Sequence, residues 1–123
     1  MSPSLSVAEL RDAARQREAA LVDVRPIDAW NGWAVDGERR GGHIAGAAPF
    51  PLRWFDEIDG SEALAVLARG GATPEKPVVV YGSGGEDADE AAARLEQLGF
   101  SQVSVFEGGF SAWAGERAGP VEW

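Results

Sequence analysis

Cysteine is absent from all 123 residues, which removes disulfides, thiolate metal sites and any cysteine nucleophile of the chain's own. The redox compartment is left open by the same absence. No apolar run approaches the roughly 20 residues of a membrane span, and the first residues lack the basic, apolar, small-residue order of a secretory signal. A soluble, cytoplasmic protein is the expectation. Basic side chains are few: eleven stand against twenty acidic ones, for a formal net charge of −9. That field repels a phosphate backbone and an anionic membrane surface, so neither nucleic acid nor membrane is expected as a partner. Internal repeats, low-complexity tracts and interdomain linkers are missing too, and residues 1–123 read as one domain. The hydrophobic share of 45% is enough for a core without staples.

What is present has the rhythm of strands alternating with helices. Ser6 and Glu9 have capping-box spacing, and Val7, Leu10, Ala13, Ala14 and Arg17 follow with helical periodicity, predicting a helix from about Ser6 to Glu18. Ala20 to Val24 is a short apolar run closed by Pro26, as expected of a strand buried on both faces. Glycines interrupt the mixed segment from Pro26 to Gly42, which reads as a short helix and a loop. Ile44 to Pro51 reads as extended. Ser61 then caps a helix whose apolar residues are Ala63, Leu64, Val66 and Leu67, ended by Gly70-Gly71. Pro77 to Tyr81 is the clearest strand and leads through a glycine-rich turn into a helix from about Asp87 to Leu98, with Gly99 as its C-terminal cap. Val103 to Phe106 supplies a further strand, and Phe110 to Trp113 a final helical turn or two. Crossover helices of this length imply parallel strands.

In open α/β sheets ligands bind beyond the carboxyl ends of the strands, and here that place belongs to Gly82, Ser83, Gly84, Gly85, Glu86 and Asp87. The glycines would allow an anion nest, but Glu86, Asp87, Asp89 and Glu90 load the helix start with negative charge, which suits the helix dipole without any ligand. Ser83 matches only half of a nucleophile elbow, since Tyr81 stands where the first glycine belongs, and the single histidine, His43, lies upstream of it. Gly82-Ser83-Gly84 matches part of a dinucleotide fingerprint, with Asp87 in place of the third glycine. The acidic residues could attract a hard cation, but they follow no ligand-loop pattern, so neither metal nor cofactor is expected. Trp30, Trp33, Trp54 and Trp113 are candidates for core packing or for an interface.

Four segments together resemble the rhodanese family over nearly the whole chain. Asp23-Val24-Arg25 is similar to that family's D-x-R, and Gly42-His43-Ile44-Ala45-Gly46-Ala47 to its G-H-I-x-G-A. Val79-Val80-Tyr81 is similar to the strand that leads into the family's active-site loop, and Gly108-Gly109-Phe110-Ser111-Ala112-Trp113 to its closing G-G-[FIV]-x-A-W. The resemblance implies a three-layer α/β fold with a central, mainly parallel five-stranded sheet and helices on both faces. It gives Asp23, Arg25, Gly42, His43, Gly46, Gly108, Gly109 and Trp113 structural roles.

Active members carry a loop of the form C-x-x-G-x-R, and on it Gly82 falls at the cysteine, Gly85 at the glycine and Asp87 at the arginine. The family mechanism needs a thiolate to take up sulfane sulfur, with loop amides and the arginine stabilising negative charge. Both chemical positions are lost here. The resemblance therefore implies a noncatalytic domain that binds a protein partner or packs against an active sulfurtransferase domain. Trp30, Trp33, Arg39 and Arg40 are the first contact residues to try. The alternative is a sulfurtransferase, thiosulfate-type, whose cysteine comes from another domain or chain.

Overall fold

A computed structural model describes residues 5, 6, 8–10, 12, 19–25, 43, 44, 47–82, 85–106, 108–110, 113, 121 and 122. Ala20–Asp23 forms β1, Ala48–Pro49 β3, Val78–Tyr81 β4 and Val103–Val105 β5, joined in one parallel sheet in the order β3-β1-β4-β5. Between β1 and β3 comes β2, His43–Ile44, which pairs antiparallel with β6, Val121–Glu122. The helices are α1, Trp54–Glu57, α2, Gly60–Arg69, and α3, Gly85–Gln97.

Strand alternation divides the core into two layers. Val22, Val24, Val78, Val80, Val103 and Val105 face one side and meet Ala63 and Leu67 of α2 and Ala88, Ala91, Ala92 and Leu95 of α3. On the other side Leu21, Val79 and Tyr81 pack with Leu10, Ile44, Ala47, Phe106, Phe110 and Trp113. Leu10, Phe110 and Trp113 are themselves helical, so helices cover both faces as the resemblance implies. β4 is buried at every position, as its unbroken apolar run requires.

The helix ends follow local chemistry. Ser6 and Glu9 form the anticipated reciprocal capping box, Glu9 Oε1 accepting from Ser6 N–H at 3.0 Å and Ser6 Oγ from Glu9 N–H at 3.1 Å. Gly71 and Gly99 take positive φ values of 94° and 101° behind α2 and α3. A Cβ on Gly70 would lie 2.5 Å from the Ala48 Cβ, so α2 reaches β3 only because that residue is glycine.

Three boundaries differ from the sequence reading. The Ile44 to Pro51 stretch is not one strand: a turn from Ile44 O to Ala47 N, 3.0 Å, splits it into β2 and β3, which join different sheets. Among the described residues the parallel sheet consequently has four strands, with a separate two-stranded pair, where five in one sheet were expected. The N-cap of α2 is Asp59 and not Ser61: the Asp59 backbone is extended and its Oδ1 accepts from Glu62 N at 2.8 Å, while Ser61 Oγ donates to the same oxygen. α3 begins at Gly85, two residues before the expected Asp87.

Candidate functional site

β1 and β4 run side by side with Asp23 opposite Tyr81, so the last residues of both strands arrive together at the carboxyl edge of the sheet. The Val24 N–H continues the ladder to Tyr81 O at 3.0 Å. Alternation turns Asp23 and Tyr81 away from the valine layer and into the second one. There Asp23 and Arg25 are both buried, at 0% and 1% exposure, a costly placement unless each charge is matched.

The match is close. Arg25 Nη2 donates to Asp23 Oδ2 at 2.7 Å, Nε lies 3.0 and 3.1 Å from the two carboxylate oxygens, and the Arg25 backbone N–H adds a bond to Oδ1 at 2.9 Å. Two-residue spacing makes this possible, because D-x-R puts the guanidinium back over its own strand end. The Phe110 ring centroid lies 4.1 Å from the guanidinium carbon and the Tyr81 ring centroid 5.9 Å from it, so the cation packs against aromatic rings as well as being paired.

Tyr81 ties this pair to β2. Its hydroxyl accepts the Ile44 N–H at 3.0 Å across 37 positions of sequence. Burial first, and next the negative charge of Asp23, push the phenol well above its ordinary range, outweighing the Ile44 N–H and the Arg25 guanidinium, which act the other way. Tyr81 is a neutral strut.

Immediately beyond it, Gly82 is buried and its carbonyl accepts the Phe110 N–H at 2.8 Å. Gly109, at φ 65°, makes the turn that delivers Phe110, and its N–H bonds to Phe106 O at 3.1 Å. Trp113 is buried, edge-on to Phe106 with centroids 6.4 Å apart. The residues of D-x-R and of the closing glycine-aromatic motif thus meet around the end of β4. Gly108 lies exposed at the same turn.

What this edge offers chemically is limited. A glycine carries no side-chain atom to react, and Glu86 and Asp87 stand exposed on the first turn of α3, with Asp89 and Glu90 just behind. An anionic substrate approaching the helix start would meet carboxylates before it met amides. Among the described residues no group of three or more His, Asp or Glu side chains could hold a metal ion, and none of the helices is long and apolar enough to cross a membrane. Ser83, Gly84, Gly42, Gly46, Trp30, Trp33, Arg39 and Arg40 lie outside the described residues. His43 pairs through its backbone with Glu122.

The sequence marks Tyr81 as a strand end and Phe110 as the start of a final helical turn and part of the closing motif, and gives neither a role at this site. A usable signal was there: a tyrosine at the last position of a four-residue valine-rich strand, on the same face as an aspartate in the neighbouring strand, needs a partner for its hydroxyl.

The frame is a parallel sheet with the buried Asp23–Arg25 pair at its carboxyl edge. Residues 6–116 match the family model of the rhodanese-like domain, and the chain belongs to that family. It is 33% identical to thiosulfate sulfurtransferase GlpE of Shewanella oneidensis, the alignment covering 89% of each chain. With 3-mercaptopyruvate sulfurtransferase of Escherichia coli K12 it shares 28% identity over 96% of this chain and 44% of that one. The anaerobic ergothioneine biosynthesis enzyme from Chlorobium limicola, solved in complex with its natural substrate trimethyl histidine, superposes with a TM-score of 0.87 at 32% identity, over 99% of this chain and 28% of that one. The chain thus spans less than half the length of the Escherichia coli relative and about a quarter of the Chlorobium enzyme. It is a rhodanese-like domain related to sulfurtransferases, without a cysteine.

Proposed function

We propose that this chain is a catalytically silent rhodanese-like domain that acts by contact with a protein partner, an active sulfurtransferase domain being the first to consider. One observation carries the reading. The strand end that would present the sulfur-carrying thiolate presents Gly82, with its carbonyl bound to Phe110 N–H, and the position of the charge-stabilising arginine is the exposed Asp87. Persulfide chemistry requires a thiolate to attack sulfane sulfur and a positive environment to hold the departing anion. This chain contributes neither.

The supporting framework is nevertheless kept. Asp23, Arg25, Tyr81 and Phe110 form a braced strand end, which supports a role that needs the fold's shape without its reaction. Trp30, Trp33, Arg39 and Arg40 remain the contact residues to substitute first, and residues 1–123 are taken as a single domain of cytoplasmic location. The experiment is thiosulfate-to-cyanide sulfur transfer by the purified chain. Absence of turnover is expected, and turnover that scales with protein and survives repurification overturns the reading.

A second reading is favoured by the 33% identity to a thiosulfate sulfurtransferase along 89% of both chains. Here the domain forms one wall of a site whose cysteine another domain or chain provides. In that case a cysteine-bearing partner transfers sulfur faster in the presence of this chain, and alkylating its thiol abolishes the gain. A purely structural partner leaves the rate unchanged.

A further inference from the structure

The two-stranded pair of β2 and β6 stands apart from the parallel sheet and shares no strand with it. It is short. His43 faces Glu122 and Ile44 faces Val121, and the turn from Ile44 O to Ala47 N, 3.0 Å, carries the chain away immediately after the second rung. By contrast β1 and β4 are matched over four positions and β4 and β5 over three. A two-rung pair without a third strand is marginal on its own, so it opens at lower cost than the sheet beside it.

Ile44 joins the two systems. It is paired with Val121 on β6, and its N–H donates to the Tyr81 hydroxyl at 3.0 Å. Its side chain is fully buried with Tyr81, Phe106 and Phe110 in the second layer. Tyr81 is the last residue of β4, opposite Asp23 and next to Gly82, whose carbonyl is bound to Phe110 N–H. A short series of contacts thus leads from the strand nearest the C-terminus, through Ile44 and Tyr81, to the end of β4.

We propose that β6 is a latch on the carboxyl edge of the sheet: docked on β2 it holds Ile44 against Tyr81, and undocked it lets that bond open while the parallel sheet stays folded. The two states differ by one short ladder, which is the kind of bistable element a regulatory contact can bias. Opening is local because water can take the place of each partner, on the Ile44 N–H and on the phenol, so no polar group is stranded. Val79 and Val80 have no such outlet. They lie in a buried strand flanked on both sides, and their amides are released only when the sheet itself parts.

The test is amide hydrogen exchange, followed by NMR on the full chain. The paired substitution Val121→Pro and Glu122→Pro removes both N–H groups that β6 could give to a ladder. Exchange of the Ile44 amide is expected to quicken about fivefold or more, while the Val22, Val79 and Val80 amides keep the protection of the parent. Tyr81 is the single tyrosine of the chain, so phenolate absorbance reports on this one position. Its ionisation midpoint should fall towards the ordinary value of about 10 in the same variant. An Ile44 amide as protected as in the parent, an unmoved Tyr81 midpoint, or a loss of protection shared equally by Val79 and Val80 overturns the proposal. Should the prolines unfold the chain, exchange of the parent in low urea decides. Ile44 opening at lower free energy than Val79 and Val80 supports the latch, and all three exchanging in the global unfolding step refutes it.

Discussion

The two faces of the parallel sheet are built on different principles. Beneath α2 and α3, six valines meet alanines and leucines, and among the described residues no charged side chain is buried in that layer. The opposite face encloses the Asp23–Arg25 pair, the Tyr81 phenol and the rings of Phe110 and Trp113. The first layer asks only for apolar side chains of suitable volume. The second demands specific atoms at specific distances, since each buried polar group needs its partner. Those polar contacts gather at the ends of β1 and β4, beside Gly82.

The comparison breaks most sharply at Arg25. Replacing Arg25 with Met leaves the Asp23 carboxylate buried and unpaired, and a loss of about 3–5 kcal/mol in urea unfolding is expected. Adding Asp23→Leu to the same chain should return much of that loss, because an apolar pair no longer strands a charge. If the double substitution is as damaging as the single one, the face depends on more than the ion pair.

Leu95→Ala probes the other layer, where α3 meets the valines. A fully buried leucine truncated there costs about 2–5 kcal/mol through lost transfer energy and the cavity left behind. A second substitution on the polar face cannot rescue it, and the two faces should give additive losses.

Tyr81→Phe removes the hydroxyl that takes the Ile44 N–H, for an expected loss of about 1–3 kcal/mol near neutral pH. It also carries a pH signature. The folded-state pKa of Tyr81 lies above its unfolded value of about 10. Its share of the stability is therefore complete below that value and drains away as the pH rises from there through the folded pKa, because only the unfolded chain ionises readily. Unfolding midpoints measured from pH 9 to 11 should fall less steeply for Tyr81→Phe than for the parent, and parallel slopes would deny the burial of the phenol.

The smallest effect is expected at the surface cap of α2. Asp59→Ala should lower the unfolding midpoint slightly through the lost cap, with Asp59→Asn largely sparing it. Since its folded pKa is lowered, the charge-dependent part of this cap is present above the ordinary carboxylate range and lost as the pH falls through the lowered value. The acid limb of a thermal unfolding series compares the two variants.

Much of the fold was legible because its signals are local. Val78, Val79 and Val80 between Pro77 and Gly82 announce a buried strand, and Gly71 and Gly99 mark the helix ends that they occupy. The Ile44 to Pro51 stretch misled because its residues suit a strand throughout, while the turn at Ala47 and the partner strand at Val121 are decided by distant contacts. Asp59 and Ser61 are both good caps by type, and only the extended backbone at Asp59 selects between them. At the site, the absence of a cysteine is read directly from the sequence. The Tyr81 to Ile44 bond is not, since it joins residues 37 apart through a pairing that no local pattern encodes.

The most direct test of the central claim is intact mass before and after thiosulfate, on the parent chain and on a Gly82→Cys, Asp87→Arg variant verified as folded by circular dichroism. The account predicts an unchanged parent and a variant that gains one sulfur atom. A parent chain that takes up sulfur, or a folded variant that stays inert, contradicts it.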